Sequence, residues 1–364
     1  MNVGQRGSAV VGDVGGRSVV LAYGSMAAEY EALHTRAALF DRSLRGRVRL
    51  KGERAAEMVT GLVTNDVAGL APGQGCYAAA LTAKGKIIAD VRVFVEEGSV
   101  LVDAPPRASA AWAAMVKKFV NPRIAPHSDE SSSLKVVGVF GANARHVAAK
   151  LTDIPAPSLS SLVPYAHATV QIDGSTVLVA RSPDIGVEGF ELIAPAELFP
   201  LLWERAIAAG AVPAGLEAWE IARVEAGRPE WGIDMDDSTI PQEANFDELH
   251  GISYTKGCYV GQETVARVHF RGHVNKHLRG VRAAEGALDA PPFGATLHDE
   301  NGLQVGDVRS SVRSPRLGGI ALAMIRREVL PGALLSARWP SVDGEVTTLH
   351  EQRVHVTMLP FEST

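Results

Sequence analysis

The chain has 364 residues, of which 46% are hydrophobic and 21% charged, and it contains only two cysteines. These proportions exclude a fibrous, a disordered and a disulfide-stapled protein, and the length allows two or three domains. With 36 Lys and Arg against 41 Asp and Glu, the formal net charge is -5, so the whole molecule lacks the positive field of a general nucleic-acid-binding protein. The two cysteines, Cys76 and Cys258, lie far apart, which indicates a reducing compartment.

The amino-terminal segment lacks the features of a signal peptide, because Gly, Asp and Arg interrupt its short Val and Leu runs. No run of about 18 consecutive apolar residues occurs in the sequence, so we expect no transmembrane helix. The sequence therefore predicts a soluble, cytoplasmic protein without a membrane partner.

The first third of the chain predicts helices followed by an antiparallel meander. Apolar residues at helical spacing predict helices over 29–40 and 53–62. Between residues 77 and 103, runs rich in Val, Ile and Leu are separated by two Gly-containing turns, which is typical of a meander. An Ala-rich helix is predicted over 108–119, and the polar run 126–133 predicts a loop that joins two subdomains.

The middle third alternates strands and helices without the long regular rhythm of a doubly wound sheet, which predicts an α+β fold. Gly227 and Pro229 end the last of its helices, and a polar, acidic loop follows over 230–250. The predicted strands cover 134–140, 168–180 and 189–193, and the predicted helices cover 142–151, 196–209 and 216–226.

The composition changes after residue 283, where Gly and Pro separate short alternating runs. Such a pattern predicts an all-β module such as a small barrel. We therefore divide the chain into a region over 1–275, with two subdomains joined near 126–134, and a barrel domain over 276–364.

The most unusual string is KGCYVGQE, which runs from Lys256 to Glu263. Its glycines allow a close backbone approach or a tight turn, and the residues that follow it can begin a helix. A cysteine at a helix N-terminus and near Lys256 would have its thiolate form stabilised, which favours a reactive Cys258. Cys258 can equally be a small buried hydrophobic residue, and the string alone does not separate the two interpretations. Cys76 lacks the GQE continuation and is interpreted as structural.

KGCYVGQE resembles the signature of the YgfZ-type folate-binding proteins, relatives of the glycine-cleavage T-protein, an aminomethyltransferase. The T-protein branch has no equivalent cysteine, so Cys258 places the chain on the YgfZ side of this resemblance. Further matching segments occur in the family order along nearly the whole chain: FDRSLRGRV (40–48), GLVTNDV (61–67), AKGKIIADVRVF (83–94), GVEGFEL (186–192), ARVEAGRPEWGID (222–234), IPQE (240–243) and VGDVRSS (305–311).

The resemblance implies that tetrahydrofolate binds in a central cavity between interleaved amino-terminal domains, next to a carboxy-terminal antiparallel barrel. Glu191 matches the glutamate that hydrogen-bonds the pterin ring, and its two oxygens suit paired N–H donors. The alternative for Glu191 is an exposed residue at a strand end. Arg223 matches an arginine near the folate and suits an anionic tail or the pterin glutamate, whereas Glu225 is a structural partner. The remaining residues assigned to folate binding are Lys256, Gly257, Tyr259 and Gln262.

Asp90 lies where the T-protein branch has two adjacent aspartates, one of which positions the folate nitrogen for one-carbon transfer. Ala89 takes the place of the first aspartate. The resemblance therefore makes Asp90 a candidate catalytic residue and favours a binding protein over a transferase. The structural alternative for Asp90 is an ion pair with Arg92 or Lys86.

Residues 256–282 form a basic segment with six Lys or Arg residues and one Glu, in a protein that is otherwise acidic. This segment is interpreted either as a wall for an anion, such as a folate tail, a phosphate or RNA, or as an ordinary solvated surface. His269, His273 and His277 are four residues apart, but Gly272 and the alternation of RVHFRGHV favour a bend or strand over a helical metal site, and no metal is expected.

The leading hypothesis is a tetrahydrofolate-binding accessory protein for iron–sulfur cluster assembly or repair, in which Cys258 is a reactive thiol that performs a redox step or contacts a cluster or a partner protein. The alternative is a folate-dependent aminomethyl or methyl transferase that depends on Asp90. A third hypothesis is an accessory protein of tRNA modification that uses the basic segment.

Overall fold

The fold is built from two sheets and a closed barrel, which a computed structural model describes for residues 9–284, 287–343 and 346–362. The first elements are β1 (Val10–Val14), β2 (Arg17–Ala22), α1 (Met26–Thr35), β3 (Ala38–Asp41), β4 (Gly46–Lys51), α2 (Ala55–Thr60), β5 (Gly75–Leu81), β6 (Ile87–Glu96), β7 (Ser99–Ala104), α3 (Ser109–Phe119) and β8 (His127–Asp129). The middle elements are β9 (Leu134–Phe140), α4 (Ala144–Thr152), α5 (Ala156–Ser160), β10 (His167–Ile172), β11 (Ser175–Arg181), β12 (Gly189–Pro195), α6 (Phe199–Ala208), β13 (Val212–Pro213) and α7 (Leu216–Glu225). The last elements are α8 (Gln262–Arg271), β14 (Lys276–Ala283), β15 (Thr296–His298), β16 (Gln304–Ser314), β17 (Gly318–Arg326), β18 (Leu334–Asp343) and β19 (Val346–Thr357).

The chain interleaves the two sheets. The first sheet has the strand order β5-β6-β7-β4-β8, and the second has the order β10-β11-β12-β9-β3-β13. Because β3 belongs to the second sheet and β4 to the first, residues 42–45 cross from one sheet to the other. This crossing segment carries two arginines into the space where the sheets meet.

Three apolar clusters hold the two sheets and their helices. One cluster packs the first sheet against α2 and α3, and a second packs the second sheet against α4 and α6. A third lies between the sheets and includes Tyr77, Tyr165 and Phe246. Side chains two residues apart in a strand share a face, so Asp90, Arg92 and Phe94 of β6 all point toward the second sheet.

The six strands of the carboxy-terminal part close into a barrel in the order β14-β17-β16-β15-β18-β19. Alternating buried residues fill its interior, among them Val308, Ala323 and Val354. The predicted α+β architecture with an antiparallel terminal barrel is therefore confirmed.

Three local predictions are wrong. The helix predicted over 29–40 ends at Thr35, because the apolar residues that follow it form the buried strand β3 beside β9. The polar run 126–133 is not only a loop, since β8 pairs with β4 at a sheet edge, where polar residues are tolerated. The bend predicted in RVHFRGHV begins only at Gly272, because α8 continues to Arg271.

Candidate active site

A small cavity lies where the crossing segment, β6 and the end of α7 meet. Its volume is about 40 Å³, and we call it the central cavity. Its walls are formed by Arg42, Arg45, Tyr77, Asp90, Arg92, Asp184, Trp219, Arg223, Arg228, Pro229 and Glu230. Of the residues assigned to the folate site, Asp90 and Arg223 line this cavity, whereas Glu191 is not among its described lining residues.

Asp90 is a buried carboxylate with one free oxygen. Its Oδ2 lies 3.3 Å from the hydroxyl of Tyr77, which donates to it, whereas Oδ1 has no hydrogen-bond partner among the described residues. Burial raises the pKa of Asp90, because the charged form loses its hydration. The proposed ion pair with Arg92 or Lys86 is absent, since Lys86 donates instead to the carbonyl of Ser238. Asp90 is thus available to a group that enters the cavity.

Glu191 is fully buried on β12, which excludes the exposed strand end that was the alternative for it. Arg92 Nη2 lies 2.8 Å from Glu191 Oε2, and Arg42 Nε lies 3.6 Å from Oε1. Neither carboxylate oxygen accepts a well-directed hydrogen bond within the described part of the chain. The two arginines therefore balance the charge of Glu191, but both of its oxygens can still accept hydrogen bonds from a ligand.

Arg92 is the centre of a buried ionic network that was not predicted from the sequence. Its guanidinium donates to both oxygens of Asp103, at 3.0 and 3.1 Å, and to Asp184 at 2.8 Å. Burial disfavours the charged form of Asp103, but Arg45 and Arg92 outweigh it and hold the pKa of Asp103 at about 2. The only signal in the sequence was the placement of Arg92 and Asp103 within strands rich in Val, Ile and Leu.

Aromatic rings form one wall beside this network. Tyr77 stacks on Phe246 with ring centroids 4.9 Å apart and on Tyr165 at 6.2 Å. The guanidinium carbon of Arg228 lies 5.1 Å from the Tyr77 ring centroid, and Arg228 Nη2 lies 3.0 Å from Asp184 Oδ1. Flat apolar surfaces next to fixed cations can hold a planar ring that carries polar edges.

Arg223 is engaged by protein groups at each guanidinium nitrogen. It donates to Asp234 at 2.8 Å, to Glu220 at 2.6 Å and to the hydroxyl of Ser310 at 2.7 Å. Ser310 belongs to β16, so Arg223 fastens α7 to the barrel. Its predicted contact with folate stays a prediction. Glu225 has the structural role expected of it, because it accepts a hydrogen bond from the Tyr30 hydroxyl at 2.6 Å.

Lys256 anchors the KGCYVGQE segment to a distant loop. Its ammonium group donates to the carbonyl oxygens of Val63 and Asn65, at 2.6 and 3.0 Å, and to that of Thr60. Burial lowers the pKa of Lys256 to about 8. The ammonium group also lies 4.4 Å from the ring centroid of Tyr259, which is buried beneath it.

The other residues of the KGCYVGQE segment also lie apart from the central cavity, since none of them is among its described lining residues. Cys258 and Gly257 are exposed, so Cys258 is not a buried hydrophobic residue. Gln262 is the first residue of α8, which means that Cys258 lies outside the first turn of this helix. The helix dipole therefore does not act on Cys258 as predicted. Folate contacts of Lys256, Gly257, Tyr259 and Gln262 stay predictions.

The backbone conformation and close packing at position 261 explain why the KGCYVGQE segment has a glycine there. Its φ is +83°, and an added Cβ would lie 2.5 Å from the carbonyl oxygen of Thr82 in the β5-β6 turn. We expect Gly261→Ala to lower the free energy of unfolding by about 2 kcal/mol, because both the backbone conformation and the contact become unfavourable. Chemical denaturation would measure this loss, with Gly257→Ala as the control, since no atom of the described residues lies within 4 Å of an added Cβ there. Equal stability of the two variants would contradict this packing role.

Glu230 borders both the central cavity and a neighbouring cavity of about 130 Å³. Burial and the nearby Glu220 raise its pKa to about 7, although Arg223 and Arg107 oppose the shift and Arg107 lies 2.7 Å away. Because the folded state holds this proton more tightly than the unfolded chain, the carboxyl group favours folding at low pH and loses that contribution as the pH rises toward 7.

We therefore expect Glu230→Gln to reduce the fall in stability between about pH 4.5 and 7, by up to about 3 kcal/mol. Urea denaturation at a series of pH values would measure the change. Glu53→Gln, at an exposed position, serves as the control. A pH profile of Glu230→Gln identical to that of the parent chain would show that Glu230 does not titrate in this range.

The basic segment is divided between α8, whose carboxy-terminal end is largely exposed, and β14 of the barrel. The imidazole of His269 stacks on the Tyr254 ring at 3.6 Å between centroids. Among the described residues, no group of three His, Cys, Asp or Glu side chains has the arrangement of a metal site, and no helix has the length and apolar character needed to cross a membrane.

The sequence matches the family model described as the GCVT N-terminal domain over residues 2–251. The aminomethyltransferase of Thermosynechococcus vestitus is 31% identical over 306 residues, which cover 84% of this chain and 81% of that protein. Those of Rubrobacter xylanophilus and Bordetella petrii are 31% and 33% identical, and the matches cover 93% and 88% of this chain and 89% and 86% of theirs. The chain therefore belongs to the GCVT N-terminal domain family.

A solved structure with a similar fold is the glycine cleavage system aminomethyltransferase T from Bartonella henselae. The TM-score is 0.85, and the match covers 98% of this chain and 94% of that one at 21% sequence identity. This likeness confirms the predicted fold. The wider family is confirmed as well, whereas the finer assignment to the YgfZ branch stays a prediction.

Proposed function

We propose that the chain is a folate-dependent transferase of the aminomethyltransferase class, which passes a one-carbon unit from an amine donor to tetrahydrofolate. The observation that carries this proposal is Asp90, a buried carboxylate in a cavity with one oxygen that no described protein group uses. An unsatisfied buried acceptor costs stability, so its retention is understandable if a ligand supplies the missing partner. The similarity to named aminomethyltransferases supports the transferase hypothesis over that of an accessory protein for iron–sulfur cluster assembly.

The polar groups around Glu191 fit tetrahydrofolate. The amino-pyrimidine edge of a pterin presents paired N–H donors, and the two oxygens of Glu191 have unused capacity to accept them. The volume of the central cavity limits what can bind, because it is far smaller than the roughly 300–1,000 Å³ typical of small-molecule sites. A side chain must therefore move when the ring binds.

Arg42 is the side chain best suited to move. Within the described part of the chain its Nε has no hydrogen bond, and it lies 3.6 Å from Oε1 of Glu191. Arg92, in contrast, is held by close contacts with Asp103 and Asp184. We infer that Arg42 turns away from Glu191 on binding, while Arg92 remains to balance the charge of the glutamate.

The chain's own residues then have separate tasks. Tetrahydrofolate, when bound, supplies the nitrogen that accepts the carbon unit. Glu191 orients the ring through its edge, and the wall formed by Tyr77, Tyr165 and Phe246 keeps water from one side of it. Asp90 accepts a hydrogen bond or a proton at its free Oδ1, a task that its raised pKa favours.

An assay of the purified protein tests the proposal. Tetrahydrofolate is mixed with a panel of small aminomethyl and N-methyl amines, and methylene- and methyl-tetrahydrofolate are quantified by mass spectrometry. The proposal expects enzyme-dependent product with at least one donor and tetrahydrofolate binding that is weakened in Glu191→Gln. Calorimetry that detects no tetrahydrofolate binding at all would overturn it.

A second candidate function, a folate-binding accessory role in iron–sulfur cluster assembly, is favoured by the exposed thiol of Cys258 on a loop that Lys256 fixes to the protein. Cells that carry Cys258→Ala, with Cys76→Ala as the control, would be assayed for a cluster-dependent enzyme. A loss of that activity only in the Cys258 variant supports this role, and normal activity in both argues against it.

A further inference from the structure

A second, larger cavity lies on the other side of Arg42. It has a volume of about 350 Å³ and is enclosed by the β1-β2 hairpin, the crossing segment and the start of α7, and we call it the hairpin cavity. Arg42 and Trp219 line both this cavity and the central cavity, so the two are neighbours that share a wall. Its volume is within the range of sites for small organic ligands, about 300–1,000 Å³.

Cations predominate in the lining of the hairpin cavity. Arg17, Arg42 and Lys135 contribute three positive charges, against the single carboxylate of Asp41. Arg17 donates one hydrogen bond, to the carbonyl oxygen of Leu44 at 2.7 Å, and Lys135 has no ion-pair partner among the described residues. These donors are therefore free to bind an anion.

Aromatic side chains line another part of the hairpin cavity. The Arg42 guanidinium carbon lies 3.5 Å from the Trp219 ring centroid, and Phe40 meets the same ring edge-on with centroids 5.4 Å apart. The edge-on contact with Phe40 fixes the Trp219 ring, and the ring offers a flat surface beside the guanidinium. The cavity thus combines cationic donors with a rigid apolar surface.

We propose that the hairpin cavity is a carboxylate-binding subsite, which takes a ligand that carries one or more carboxylates beside an apolar or aromatic group. This subsite rests on the proposed function, since Arg42 would turn toward the hairpin cavity when Glu191 binds the ring. Two sources have this chemistry: the benzoyl-glutamate end of a folate, and an amino acid that serves as the amine donor.

Calorimetry with separate probes distinguishes these sources. The probes are p-aminobenzoyl-glutamate, which lacks the pterin, tetrahydrofolate with one and with three glutamates, and N-methylglycine. If the folate end occupies the cavity, p-aminobenzoyl-glutamate binds, and the affinity of tetrahydrofolate rises with the number of glutamates. If the amine donor occupies it, N-methylglycine binds and the number of glutamates has no effect.

The variants are Arg17→Gln combined with Lys135→Met, and the charge reversal Lys135→Glu alone, which keeps the test valid if the double variant folds poorly. We expect each to weaken binding of the carboxylate probe about tenfold or more, and the binding of the parent chain to weaken as salt is added. Arg123→Gln combined with Lys118→Met, at exposed positions outside the cavity, is the matched control.

The outcomes separate the subsite from the proposed function. Binding of tetrahydrofolate with unchanged affinity in the cavity variants, and no binding of p-aminobenzoyl-glutamate or N-methylglycine, overturns the subsite and leaves the proposed function standing. Binding of a carboxylate probe that is weakened only in the cavity variants supports the subsite. If such a carboxylate probe binds but tetrahydrofolate does not, the proposed function is wrong and the subsite is still supported.

Discussion

Replacement of Asp103 by asparagine is expected to lower the free energy of unfolding by about 3–5 kcal/mol, because it removes the carboxylate from a buried ionic network and leaves arginines without their partner. Asp103 is fully buried and lies within 4 Å of nitrogens on Arg45, Arg47 and Arg92. An asparagine keeps the shape of the side chain but offers one neutral acceptor. Urea denaturation, monitored by circular dichroism, would measure the loss.

Asp173→Asn is the matched control for this experiment. Asp173 forms an exposed pair with Arg205 at 3.5 Å, and such surface pairs contribute about 0–1 kcal/mol. Similar destabilisation in the two variants would contradict the central role of the network. The low pKa of Asp103 also predicts that its contribution is complete above about pH 4 and is lost as the pH falls toward 2.

Replacement of Asp90 by asparagine, unlike that of Asp103, is expected to lower activity without lowering stability. Turnover should fall by about 100-fold or more, which is the usual loss when a positioned proton-transfer group is removed. The stability of the fold should be unchanged or higher near neutral pH, since the substitution replaces a buried carboxyl group, whose pKa is raised by burial, with a neutral amide. Steady-state kinetics and urea denaturation on the same preparation would measure both quantities.

Asp237→Asn, at an exposed position in the loop after α7, is the control and should leave turnover unchanged. Full activity of Asp90→Asn would exclude a catalytic role for this carboxylate. A loss of activity that is accompanied by an equal loss of stability would mean that Asp90 acts only in folding. The combination of lost activity and retained stability is the result specific to the proposal.

The sequence predicted the parts of the fold that depend on local patterns. Alternating runs and Gly and Pro turns were sufficient for the barrel, and matching segments were sufficient for the wider family, whereas the roles of Asp90 and Glu191 stay predictions. The segment 36–40 was assigned to a helix because its apolar residues do not reveal whether they pair with a strand about 100 residues later.

The ionic network could not be predicted from the same patterns. Arg92 lies on β6 and Asp103 on β7, in strands whose side chains point alternately to opposite faces of the sheet. A charged residue in such a strand ordinarily lies on the face that contacts water. Only the packing of a second sheet over this face shows that they are buried, at 2% and 0% exposure. Lys256 is a similar case, since its partners are carbonyl oxygens about 190 residues earlier in the chain, and backbone acceptors leave no trace in a sequence.

A crystal structure of the protein with bound tetrahydrofolate would show where the pterin ring lies. We expect the pterin edge to contact Glu191 and a folate nitrogen to lie within hydrogen-bonding distance of Asp90 Oδ1. We also expect Arg42 to have turned toward the hairpin cavity while Arg92 still contacts Asp103. Tetrahydrofolate bound elsewhere, with Arg42 and Arg92 unmoved around Glu191, would contradict these expectations.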